Sequence, residues 1–160
     1  MNPMIKKLGL LSVLVLFTCS IQAQSIPETG DVGIRANFTG QASIEVPYML
    51  NESLSLAPYL SLNSTENQNT NFTLGVRPRY YLSSSNAFAT YAAGTLGISN
   101  TSFSNTNTSV TDFNLGVGYG AEYFFSDHFS VSGDANLNAR FGDSASNFAT
   151  VTRISASIYF

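Results

Sequence analysis

From about residue 30 to the last residue, apolar side chains alternate with small or polar ones, and this two-residue period most constrains the fold. The stretch 119–137, YGAEYFFSDHFSVSGDANL, shows it best, with two alternating runs around the polar turn Ser126-Asp127-His128. Before the turn, Phe113, Leu115, Val117, Tyr119, Ala121 and Tyr123 fall on one face; after it, Phe129, Val131, Gly133, Ala135, Leu137 and Ala139 do the same. A period of two over such lengths is a strand signal, and a short polar loop between two such runs makes a hairpin. The turn recurs as Tyr48-Met-Leu-Asn-Glu-Ser-Leu54 and, with two extra residues, as Tyr80-Tyr-Leu-Ser-Ser-Ser-Asn-Ala-Phe88. An insertion of two keeps both strands facing the same way, whereas a slip of one would turn every side chain over.

Eight strands follow, roughly 31–38, 41–49, 53–63, 71–82, 87–99, 110–124, 129–141 and 148–160. Polar linkers at Thr39-Gly40, 64–70, 100–109 and 142–147 alternate with the aromatic-flanked turns. The linker 100–109, NTSFSNTNTS, has the composition of a solvated loop. One end of the structure should therefore carry polar loops and the other tight turns. For the first hairpin the alternative is one long strand with Thr39-Gly40 in its interior.

The first residues read differently. Lys6 and Lys7 precede an apolar run from Leu8 to Phe17, and Ser20-Ile-Gln-Ala23 offers a small residue for cleavage. This is the pattern of a secretory signal peptide over 1–23, too short in its apolar part to span a bilayer. A single domain over 24–160 remains. The rival reading makes Cys19 a lipidated residue, but Phe17 and Thr18 stand where such sites prefer small side chains. With cleavage after Ala23 no cysteine is left and no disulfide framework exists.

Alternation alone does not say whether the apolar face meets a core or lipid; the charges do. After Ala23 the chain has five arginines and no lysine against ten acidic residues. By parity Arg35, Arg77, Arg79, Arg140 and Arg153 all lie opposite the apolar face, with Glu45, Glu122 and Asp134. Tyr59, Tyr81, Tyr91, Asn114, Asn136 and Asn138 join them, as do Gly75, Gly97, Gly116, Gly118 and Gly120. A water-facing sheet would ordinarily carry lysine, especially on its edges. Arginine, carboxylate and tyrosine interleaved with glycine suit a crowded polar interior of paired charges. The lumen set is thus Arg35, Glu45, Arg77, Arg79, Glu122, Asp134 and Arg153, with Arg140 and Asp112 nearer the mouth. Arg35 should lie beside Arg153 and Glu45, and Arg77 and Arg79 should find Glu122 and Asp134 across the lumen.

On the apolar face aromatic residues collect at the strand ends. Tyr48, Tyr80, Phe88, Tyr123, Phe129 and Phe160 mark the turn end, and Phe38, Phe72, Phe113 and Phe148 the loop end. From Phe113 to Tyr123 is roughly 33 Å of strand, which a tilt of about 40° reduces to roughly 25 Å, the height of a membrane barrel's apolar band. Eight strands is also the number at which a barrel closes around an interior filled by side chains, and closure removes edges that lipid would not tolerate. The expected fold is all-β: an eight-stranded antiparallel up-and-down transmembrane β-barrel. Both termini then lie at the turn end.

With these residues in hand, the chain resembles the small eight-stranded outer-membrane barrels of Gram-negative bacteria, of the OmpA/OmpX-like type, in the style of Bacteroidetes outer-membrane proteins. The resemblance covers essentially all of 30–160 and rests on Tyr123-Phe-Phe-Ser-Asp-His-Phe129 with its copies and on the ending Ile154-Ser-Ala-Ser-Ile-Tyr-Phe160. Ile154, Ala156, Ile158 and Phe160 look like the signal read by the barrel assembly machinery, although many members carry an aromatic where this chain has Ile158. The family implies a monomer surrounded by outer-membrane lipid, periplasmic termini and outward-facing loops. It implies no particular activity.

No constellation for catalysis stands out. His128, the only histidine, sits beside Ser126 and Asp127, but neighbours in a tight turn rarely converge on one reacting atom. No Cys or His cluster suits zinc, no spaced Asp-Gly repeat suits calcium, and no cofactor is expected. Gly116-Val-Gly-Tyr-Gly120 is a small-residue stripe within a strand, not a phosphate loop. No basic footprint for nucleic acid exists. The expectation is a non-catalytic outer-membrane barrel with a structural or surface-interaction role and a lumen plugged by charge pairs. The alternatives are a narrow channel for ions or small solutes, and a soluble lipocalin-like barrel with Leu115 and Val117 inside and the arginines outside.

Overall fold

The computed structural model describes residues 26–40, 42–66, 68–85, 87–104, 106 and 108–160. The signal-peptide assignment at 1–23, with Cys19, lies outside the described residues, as does Gln41 at the start of the second expected strand. The described residues form nine antiparallel β segments: β1 (Gly33–Asn37), β2 (Ser43–Glu45), β3 (Tyr48–Asn51), β4 (Leu54–Thr65), β5 (Asn69–Ser85), β6 (Phe88–Phe103), β7 (Thr108–Ser126), β8 (Phe129–Gly142) and β9 (Asn147–Tyr159). From β3 to β9 each segment pairs with the next, β1 pairs with β9, and β2 pairs with both β1 and β4, so the sheet closes on itself. The result is an eight-stranded up-and-down barrel, with β2 and β3 as two pieces of its second strand.

Prolines explain that break. Pro47 has no N–H to give to a ladder, and a proline inside a sheet is tolerated only at edges or irregularities. Its carbonyl still accepts from Gly33 N at 2.8 Å. Opposite lies a second proline: Val46 N donates to Pro58 O at 2.9 Å, and Pro58 cannot return the bond. Between β2 and β4 the ladder is therefore short, Ile44↔Leu60 and Glu45↔Tyr59.

At the turn end the repeated motif acts the same way three times. Each hairpin closes through a two-residue loop preceded by a β-bulge, between Met49 and Asn51, between Tyr81 and Ser83, and between Phe124 and Ser126. The extra residues of the middle copy lengthen its ladder beyond the bulge to Ser83↔Thr90, Ser84↔Ala89 and Ser85↔Phe88. The other two hairpins have one pair there, Asn51↔Leu54 and Ser126↔Phe129.

The loop end departs from the sequence expectation. Residues 64–70 and 100–109 are mostly strand, with pairs Thr65↔Asn69 and Phe103↔Thr108 at the tips. Amide and hydroxyl side chains bond across these ladders, Asn71 Nδ2 to Thr101 Oγ1 at 2.7 Å and Asn100 Nδ2 to Thr111 Oγ1 at 3.0 Å. Asn, Ser and Thr suit a solvated loop and a water-exposed hairpin equally, which is why composition misjudged the length. The first hairpin does turn at Thr39-Gly40, where Gly40 adopts φ 70°, a left-handed conformation that glycine accepts at little cost.

The faces are resolved by burial. Leu115 and Val117 are 47% and 64% exposed on the outer wall, while Arg35 and Glu122 are fully buried inside. The inverted barrel, with apolar residues inside and arginines out, is not the structure.

Candidate functional site

The lumen holds two charge clusters, stacked over an apolar floor and below an open polar mouth. In the first, on β1, β2 and β5, Arg35 Nη1 meets Glu45 Oε2 at 3.1 Å. Arg35 Nε donates to Ser157 Oγ at 3.0 Å and Nη2 to Tyr159 OH at 2.9 Å. The other oxygen of Glu45 accepts from Asn37 Nδ2 at 2.6 Å and from Arg77 Nη1. Arg77 also donates to Ser43 Oγ at 3.1 Å, and its guanidinium lies 4.0 Å from the centre of the Tyr59 ring.

The second cluster is built on β5, β7, β8 and β9. Arg79 Nη1 meets Glu122 Oε2 at 3.1 Å and its Nη2 lies 3.6 Å from Asp134 Oδ2. Glu122 is saturated by hydroxyls, Tyr81 OH at 2.8 Å, Tyr159 OH at 3.2 Å and Ser130 Oγ. Asp134 accepts from Tyr91 OH at 3.0 Å and from Asn136 Nδ2. Arg153, its cross-strand partner, approaches Asp134 Oδ1 at 3.5 Å and donates to Thr95 Oγ1 at 3.2 Å. Arg79 stacks over Tyr91 at 4.2 Å. Buried charge is tolerable when it is paired and most of its remaining donors and acceptors are used; here ring faces and hydroxyls add to what the carboxylates begin, and Arg77 Nε and Asn136 Oδ1 are left without a hydrogen-bond partner among the described residues.

Two expected pairings are corrected. Arg77 goes to Glu45 rather than to Glu122 or Asp134. Arg35 does not sit beside Arg153: the β1–β9 register sets Arg35 opposite Ser157, four residues further along. Parity gives the face of a residue, but the stagger between strands gives its height, and sequence carries no direct record of stagger.

Space for these side chains comes from glycines. Gly116, Gly118 and Gly120 on β7 stand opposite Asn138, Asn136 and Asp134 on β8. A Cβ on Gly120 would fall 2.6 Å from the Cβ of Asp134 and 2.7 Å from the Tyr91 ring.

Sequence reasoning missed the residues that join and close this interior. Tyr159 shares the parity of Arg153 and Phe124 that of Glu122, so the signal was present. The hydroxyl of Tyr159 touches both clusters. Met49, Tyr81, Tyr91, Phe124 and Tyr159 pack together as a floor at the turn end, with Ile26 against them.

Outside, the aromatics at the turn end (Tyr48, Tyr80, Phe88, Tyr123, Phe129, Phe160) and at the loop end (Phe38, Phe72, Phe113, Phe148) are all exposed. Phe125 and Phe141, absent from the sequence-derived set, join these rows, Phe125 at 4.9 Å from Tyr123 and Phe141 at 6.0 Å from Phe113. Ile154, Ile158 and Phe160 also point outward, while Ala156 is half-buried. His128 lies in its turn, with Nδ1 3.1 Å from Tyr159 O.

The loop end remains open. A cavity of about 470 Å³ lies inside the mouth, bounded by β4 to β8 and including Asn63, Asn69, Phe103, Asp112 and Arg140.

A family described as "Outer membrane protein beta-barrel domain" matches residues 11–158. No curated protein matches the sequence. Among solved structures, the N-terminal β-barrel domain of Pseudomonas aeruginosa OprF superposes with a TM-score of 0.64 at 16% identity, covering 82% of this chain and 98% of that one. Neisserial surface protein A gives a TM-score of 0.56 at 15% identity, over 81% and 92% respectively. At such identities the likeness is one of fold.

Proposed function

The chain belongs to the outer membrane protein β-barrel domain family, and from that premise we propose a non-catalytic, monomeric barrel whose lumen is closed and whose role is structural or surface-interacting. Residues 1–23 serve as the export signal, the outer wall lies in lipid, and the aromatic rows sit at its two water interfaces. Termini and tight turns face the periplasm and the polar hairpins face outward. The ending Ile154, Ala156, Ile158 and Phe160 is what the barrel assembly machinery reads.

The observation that carries this reading is the continuity of the interior. From Arg77 through Glu45, Arg35, Tyr159, Glu122, Arg79 and Asp134 to Arg153, each group touches the next, above the floor of Met49, Phe124 and Tyr91. A solute would have to break several charge-assisted bonds at once to pass.

Conductance across a planar bilayer tests it. The refolded wild type should be silent, and the Arg77→Ala, Glu122→Ala double variant should open discrete steps. Steps in the wild type would overturn closure and favour a narrow channel, a reading supported by the excess of four lumen arginines over three carboxylates. A protein that stays soluble without detergent and shows no heat-dependent shift in gel mobility would overturn the membrane reading itself.

A further inference from the structure

We propose that the mouth of the barrel is a binding site for a neutral saccharide. The cavity there, about 470 Å³, falls in the range of small-ligand sites, about 300–1,000 Å³. Its chemistry is mixed in a specific way. Asn63 and Asn69 bring side-chain amides, each with donors and an acceptor side by side. Such pairs match the alternating donor and acceptor character of neighbouring hydroxyls. Asp112 supplies a carboxylate whose Oδ1 is already held by Ser144 N at 2.9 Å. Arg140, on the adjacent strand, supplies the opposite charge, so the site favours neither a free anion nor a free cation. Phe103 adds a flat apolar face at the rim, the surface against which the C–H face of a sugar ring packs.

The neighbouring walls are held in advance, by Asn71 Nδ2 to Thr101 Oγ1 at 2.7 Å and by Thr73 Oγ1 to Asn71 Oδ1 at 3.1 Å, so binding need not order them.

The source of the saccharide rests on the outward orientation proposed above; its chemistry does not. The test therefore uses purified protein, where orientation plays no part. The isotope-labelled barrel is refolded in an amine-oxide detergent, which has no sugar headgroup, and titrated with N-acetylglucosamine, methyl mannoside and methyl galactoside. At least one should give saturable shifts at the side-chain amides of Asn63 and Asn69 and at the backbone of Phe103. Phe103→Ala and Asn63→Ala should each weaken that sugar about tenfold, the effect of losing one contact of hydrogen-bond size. Phe148→Ala, on the outer wall, should leave it unchanged. Absence of saturable shifts with all three sugars in a folded barrel would overturn the proposal. So would shifts confined to the outer wall, or inorganic phosphate or calcium moving these resonances where the sugars do not.

Discussion

Tyr159 donates its hydroxyl proton to Glu122 at 3.2 Å while the same oxygen accepts from Arg35 at 2.9 Å, so one phenol joins the two charge clusters of the lumen. Replacing it with phenylalanine keeps the floor packed and cuts only the link. Tyr159→Phe should cost about 1–3 kcal/mol, the penalty for stranding buried polar partners. Urea titration of the detergent-folded protein, followed by gel mobility, measures it; an unchanged midpoint would mean that the clusters are independent.

Arg79 and Glu122 are both buried, and their separate removal should be worse than their joint removal. Glu122→Leu alone takes from buried Arg79 its nearer carboxylate and should cost about 3–5 kcal/mol. Adding Arg79→Met should recover part of that loss. The double-mutant cycle reads the coupling, and strict additivity would argue that Asp134 and the Tyr91 ring rather than Glu122 hold Arg79.

The glycine stripe makes a sharp contrast possible. A methyl group on Gly118 would lie 2.6 Å from both the Ala135 carbonyl oxygen and Asn136 Cγ, whereas one on Gly133 meets only the Arg153 carbonyl oxygen at 3.8 Å. Gly118→Ala should destabilise by about 1–3 kcal/mol through overpacking, and Gly133→Ala should stay within about 0.5 kcal/mol. Equal effects would mean that strand propensity, not space, selects glycine here.

Val117 lies mid-way along β7 and points outward. In a bilayer Val117→Arg should cost about 2–4 kcal/mol, as expected of a cation on a lipid face near the midplane. In water the same exposed substitution would cost almost nothing. Refolding into vesicles reports which solvent surrounds the wall.

These tests concern features of unequal legibility. Strand number and the facing of Leu115, Val117 and the seven lumen charges could be read from parity, because a sheet buried on one side imposes a period of two. The strand tips at Thr65 and Phe103 could not, since Asn, Ser and Thr serve loops and exposed ladders alike. Nor could the partnership of Arg77 with Glu45, which depends on barrel stagger. Phe124 and Tyr159 were legible by parity yet hidden by their neighbours: Tyr123, Phe125 and Phe160 all belong to the outer face, and an aromatic cluster invites a single assignment.

Pro47 and Pro58 leave the wall thin where β2 meets β4, with two ladder pairs and one unreciprocated backbone bond along that join. Inside this same stretch, Arg77 on β5 reaches across Tyr59 on β4 to Glu45 on β2. The side chains thus fasten from within what the backbone leaves loosely stitched. The lumen charges are then more than filling: they act as a rivet through three staves. Weakening them should show first as faster amide exchange at Ile44 and Val46, before the barrel loses its mobility shift on gels.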